Sequence, residues 1–159
     1  MDEPIRHTLS VTSDPANAFA LFTEELGRWW PHEYTWGQQA LEAIGIEPFP
    51  DGMCYERGPH GFRCDWGRVL VWEPPHRLVL AWQISPRREP VPDPARASEV
   101  EINFEPADTG EPGMEGGTRV TLEHREFARH GDGAAEYRDA LGSPEGWPYI
   151  MSKFAEAAA

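Results

Sequence analysis

The stretch GRVLVWEPPHRLVLAW, residues 67–82, writes two β-strands and the turn between them. Val69, Leu70, Val71 and Trp72 form one apolar, β-branched run, and Leu78, Val79, Leu80, Ala81 and Trp82 form the next. Pro74 and Pro75 have no N–H to give a ladder and fix their own φ, so the first strand ends there and the second begins after His76 and Arg77. The segment therefore reads as an antiparallel hairpin. Leu78, Leu80, Trp82 and Ile84 share one parity, which puts Trp82 on the inward face.

On the N-terminal side, Met53 to Arg57 and Phe62 to Trp72 read as neighbouring strands joined across Gly58, Pro59, His60 and Gly61. With the turn centred on Pro59 and His60, Cys54 and Cys64 are expected to face one another as reduced thiols. Their C-x9-C spacing fits no structural zinc pattern, and no metal or cofactor is expected. Leu41 to Glu47 reads as a further strand, ended by Pro48 and Pro50. An inward Arg57 or Arg63 would bind a carboxylate or phenolate on a ligand, and an inward Glu47 could act as a base. The alternative for each is a solvated strand face.

Ile5 to Val11 alternates like a half-exposed strand, with His7 placed at its rim. Ser13 or Asp14 then caps a helix with Pro15 in its first turn and Ala18, Phe19, Leu21 and Phe22 on one face. Leu26, Trp29 and Trp30 prolong the apolar surface into a second short helix that Pro31 stops.

On the C-terminal side, the proline-rich run from Pro86 to Ala97 reads as an exposed loop. Val100, Ile102 and Phe104 alternate with Glu101, Asn103 and Glu105, the pattern of a half-buried strand. Asp108 to Gly117 reads as a glycine-rich connection. Thr118 to Phe127 repeats the alternation, with Val120 and Leu122 inward and His124 on the same parity. After another loop, Trp147, Ile150, Met151, Phe154 and Ala158 fall at helical spacing and form one face of a C-terminal helix.

These elements sum to an α+β domain spanning residues 1–159, an antiparallel sheet of about six or seven strands with segregated helices. At 159 residues with seven tryptophans the chain can bury one core. Fourteen basic against twenty-seven acidic side chains give a net charge of −13, which opposes nucleic acid and anionic lipid as partners. No stretch approaches the length of a membrane span, the N-terminal residues lack a signal-peptide pattern, and a cytoplasmic location is expected. There is no G-x-S-x-G, phosphate-cradling glycine loop, H-E-x-x-H or C-x-x-C.

The Trp29-Trp30 pair, G-x-V-x-x-x-E-P-P-x-x-L-x-x-x-W from Gly67 to Trp82, G-T-x-V-T-L-x-H-x-x-F from Gly117 to Phe127, and Gly146-Trp147 stand in an order that resembles the SRPBCC, or START-like helix-grip, superfamily. Within it the chain is most similar to the family of the activator of heat-shock-protein-90 ATPase homologue. The resemblance implies a curved sheet wrapped around a long C-terminal helix, with a largely apolar cavity between them for a hydrophobic small molecule. It also implies a glycine where Glu126 stands, which would set a carboxylate near the cavity mouth.

Three function classes follow. The first is binding of a hydrophobic or aromatic ligand, with Trp29, Trp30, Arg57, Trp66, Trp82, Phe104, His124, Phe127, Trp147 and Met151 as candidate contacts, since indole rings offer broad apolar faces and one donor. The alternative for each ring is simple core packing. The second is a cyclase-, aromatase- or hydrolase-like enzyme with His124 as acid or base. The third is a co-chaperone-like interaction protein. A homodimer is a further partner option.

Overall fold

A computed structural model describes residues 3–107 and 117–158; of the expected Asp108–Gly117 connection, residues 108–116 lie outside the described residues. Seven strands form one antiparallel sheet: β1 (Ile5–Val11), β2 (Ala43–Ile46), β3 (Met53–Arg57), β4 (Arg63–Glu73), β5 (Arg77–Trp82), β6 (Ser98–Pro106) and β7 (Thr118–Arg125). Their spatial order is β1-β7-β6-β5-β4-β3-β2. Among the described residues four α-helices accompany them: α1 (Pro15–Glu24), α2 (Leu26–Trp29), α3 (Ala134–Leu141) and α4 (Trp147–Ala157). The sheet curls into a half-barrel around the helices, the helix-grip architecture.

The hairpin of residues 67–82 forms β4 and β5, with Gly67 opposite Trp82, Val69 opposite Leu80 and Glu73 opposite Arg77. A bulge between Val69 and Val71 inserts Leu70, which is exposed. One apolar run thus serves two faces. Asp14 rather than Ser13 caps α1, its Oδ1 accepting from the Asn17 N–H at 2.8 Å.

Cys54 and Cys64 are not opposite one another. Cys64 pairs with Glu56 and Cys54 with Gly67, because the turn is centred on His60, which sits with Gly61 at positive φ, and a bulge at Cys54/Tyr55 shifts the rest. Both thiols are free and buried, and burial pushes their pKa values up, that of Cys64 to about 11. They are poor nucleophiles at neutral pH. The stretch between Phe127 and Trp147, expected as a loop, contains α3. Its cap, Gly133, sits in the left-handed region with no side-chain cap bond, so the usual start signal is missing.

Inward residues of β5, β6 and β7 meet α1, α2 and α4 in one core. Phe104 packs edge-on against Phe19 and Phe22 at 5.2 and 5.9 Å, and Phe154 against Phe22 and Trp29 at 5.5 and 5.2 Å. On the outer face Arg125 bridges Glu99, Glu101 and Glu123, and Arg77 also holds Glu101, whose carboxyl is drawn down to about 2. The inner face is apolar apart from a few buried groups.

Candidate ligand-binding cavity

Toward the β2 edge, sheet and helices part to leave an open cavity of about 450 Å³. Ile44, Glu56, Trp66 and Trp82 form its sheet wall, Trp30 enters from the end of α2, and Tyr137, Leu141 and Ile150 come from α3 and α4. Three indoles make the inner surface: Trp30 stacks on Trp66 at 5.9 Å, and Trp66 meets Trp82 edge-on at 5.7 Å. Trp82 Nε1 donates to Tyr137 Oη at 2.8 Å, and that hydroxyl donates to the Ile84 carbonyl at 2.9 Å. Burial pushes the Tyr137 phenol up, so it stays a neutral hydrogen-bonding group. Trp66 is differently placed: its Nε1 is buried and has no partner among the described residues.

Glu56 supplies the buried acid of this wall. It is 1% exposed, and its two oxygens accept from the backbone N–H groups of Trp36 at 3.1 Å and Gly37 at 2.9 Å. No cation pairs with it among the described residues. Its position follows from β3, where Cys54 and Glu56 alternate inward while Tyr55 and Arg57 turn away.

Two latches cross the mouth. Trp36 Nε1 donates to the Arg88 carbonyl at 3.0 Å, and Tyr34 Oη donates to the Glu145 carbonyl at 2.8 Å. The Arg88 guanidinium lies 4.7 Å from the centroid of the Tyr137 ring. Beside the mouth Tyr149 Oη donates to Glu33 at 2.6 Å, holding that carboxyl below its ordinary value and raising the phenol to about 12. Gly146 lines the same rim, where any Cβ would collide with the Leu141 carbonyl.

Past Trp82, the inner face is closed and holds a second polar cluster. Trp147 Nε1 donates to His124 Nδ1 at 2.9 Å, so the neutral His124 carries its proton on Nε2 and donates to Ser98 Oγ at 2.7 Å. The Ser98 hydroxyl then donates to His130 Nε2 at 2.7 Å, which leaves the His130 proton on Nδ1, a buried atom without a partner among the described residues. Burial, then the neighbouring His130, holds His124 well below its ordinary pKa; burial lowers His130 to about 4. Phe127 stacks on His124 at 4.2 Å.

Of the residues expected to meet a ligand, Trp30, Trp66 and Trp82 line the cavity. Trp29, Phe104, His124, Phe127, Trp147 and Met151 are buried in the core behind it. Arg57 is exposed at the end of β3, its guanidinium 5.7 Å from the Tyr55 ring centroid. Arg63 pairs with Asp65, and Glu47 accepts from the Met53 N–H. Glu126 stands at φ 66°, the left-handed conformation that explains the family's glycine, and its carboxylate turns away from the cavity to pair with Arg129 at 3.5 Å. Glu56, Tyr137 and Arg88 were not singled out by sequence. The alternation of Cys54 and Glu56 was the available sign for the first; the other two sit on an uncapped helix and in a loop.

Residues 13–159 match the profile of the family described as Activator of Hsp90 ATPase homolog 1-like protein. Among solved structures, an anthrahydroquino-gamma-pyrone synthase, Txn09, complexed with SUM, is 36% identical over 96% of this chain and 95% of that one, with a TM-score of 0.65. CalC, a self-sacrificing resistance protein from Micromonospora echinospora, is 27% identical over 99% of this chain and 94% of its own, with a TM-score of 0.63. The Aha1 dimer from Colwellia psychrerythraea shares the fold at 14% identity, covering 98% and 96% of the two chains with a TM-score of 0.60. No curated protein matches.

Proposed function

Because the chain belongs to the Activator of Hsp90 ATPase homolog 1-like family, we propose that it works through the helix-grip cavity, binding a hydrophobic, aromatic small molecule there. The observation that carries this reading is the open space of about 450 Å³ walled by Trp30, Trp66 and Trp82, a size and lining suited to a flat ring system. The likeness to a pyrone synthase complexed with SUM and to a resistance protein supports it. Ala140 is exposed and lies on the cavity rim, so Ala140→Trp narrows the entrance without touching the core. Saturable quenching of tryptophan fluorescence by the uncharged dye Nile red is expected in the wild type, weakened at least fivefold in Ala140→Trp. Absence of binding, or equal binding by the two proteins, would overturn the assignment.

The 36% identity to a synthase supports a second reading, catalysis on a ligand of the same kind. His124 as the acid or base would need a path to the cavity, whereas both of its nitrogens are bonded and it does not line the wall. Under this reading Glu56 is the proton acceptor that faces the guest. Turnover surviving Glu56→Gln unchanged would remove that role.

A further inference from the structure

The wall also carries information about charge. Burying a carboxylate costs free energy that hydrogen bonds and a counter-charge must offset. Glu56 has two backbone donors, which occupy about half of the lone-pair positions of a carboxylate, and no cation among the described residues. It pairs across the ladder with Cys64, and Trp66 stands two residues further along β4 on the same inner face. The free side of Glu56 therefore borders an aromatic enclosure, and the faces of indole rings attract cations. The remaining charged groups of the lining are Glu33 and Glu145 against Arg88, whose guanidinium already lies over Tyr137. Trp66 Nε1, buried and unpartnered among the described residues, adds a donor on the same wall.

Resting on the reading of the cavity as an aromatic-ligand site, we propose that its guest carries a protonated amine. The ammonium sits against Glu56 and the faces of the neighbouring indoles, and an acceptor atom of the guest takes the Trp66 N–H. The carboxylate gains the counter-charge it lacks, the orphan donor gains a partner, and the rings hold the remainder by stacking. An anionic guest would meet three carboxylates and one engaged guanidinium, and a neutral ring would leave Glu56 uncompensated.

Three probes with one three-ring frame test this: 9-aminoacridine, a cation at neutral pH, 9-anthracenemethanol, neutral, and 9-anthracenecarboxylate, an anion. Their dissociation constants are measured calorimetrically on the wild type and on Glu56→Gln. The expected result is cation tighter than neutral tighter than anion, with at least a tenfold span. In Glu56→Gln the advantage of the cation over the neutral probe falls at least fivefold. Equal affinities or a preference for the anion would overturn the amine assignment while leaving cavity binding intact. A cation preference that Glu56→Gln does not reduce would overturn Glu56 as its seat. If the variant loses its near-ultraviolet circular dichroism, the wild-type ranking decides. If no probe binds and Nile red does not either, the cavity reading itself fails.

Discussion

The two ends of the inner face bury polar groups in opposite states. At the His124 end the indole of Trp147, the two imidazoles and the Ser98 hydroxyl form an ordered relay in which every donor but the His130 Nδ1–H meets an acceptor among the described residues, and His124 packs against Phe127 and Trp147. At the Glu56 end a carboxylate has capacity to spare, an indole N–H has no partner among the described residues, and the rings beside them border empty space. Trp82 stands between the two, touching His124 and Trp147 on one side at 5.5 and 5.3 Å and lining the cavity on the other. The difference teaches where to look for chemistry. A buried polar group whose valences are met inside the chain serves the fold, and one left incomplete beside a cavity is available to something from outside.

That division predicts separable effects. Trp147→Ala should be the most damaging change, because it empties a fully buried site and strips His124 of its donor. Loss of a large core aromatic costs about 3–5 kcal/mol, to be read from chemical denaturation. A loss below about 1 kcal/mol would break the claim that this end is structural.

Acid should act at the same end. His130 at about 4 and His124 well below its usual value take up protons in the unfolded chain before they do in the folded one. The unfolded state thus binds more protons between pH 6.5 and about 4, so stability is full above that window and declines as pH falls through it. Denaturation midpoints measured across that range should fall with acidity, and His130→Gln should flatten the slope. A slope equal in wild type and variant would remove His130 from the account.

The smallest effect on stability is expected at the other end. Trp36 is largely at the surface and makes one side-chain hydrogen bond across the mouth. Trp36→Ala should change stability by less than about 1 kcal/mol while speeding release of a bound Nile red probe in stopped-flow measurements. Strong destabilisation with unchanged release would reverse the comparison.

Much of the scaffold was legible in local patterning. Alternation named the inward residues of β5, β6 and β7, the double proline fixed the turn, and the spacing from Trp147 to Phe154 fixed the last helix. Where pairing depended on more than alternation, reading failed. A turn centred on a left-handed His60 set the register of β3 against β4 and paired Cys64 with Glu56 instead of Cys54, and a bulge at Cys54/Tyr55 then placed Cys54 opposite Gly67. Helix α3 begins without a capping side chain, which hid Tyr137. The cavity was harder still, because whether Trp30, Trp66 and Trp82 line a space or fill it depends on the distance between helix and sheet, a quantity that composition does not carry.

Glu56 also grips the backbone of Trp36 and Gly37, the segment that latches across the mouth to Arg88. One side chain therefore belongs both to the chamber and to its door. Under the proposed reading, a lineage that exchanged this acid to suit a different guest would also loosen the entrance, so taste and dwell time would change together.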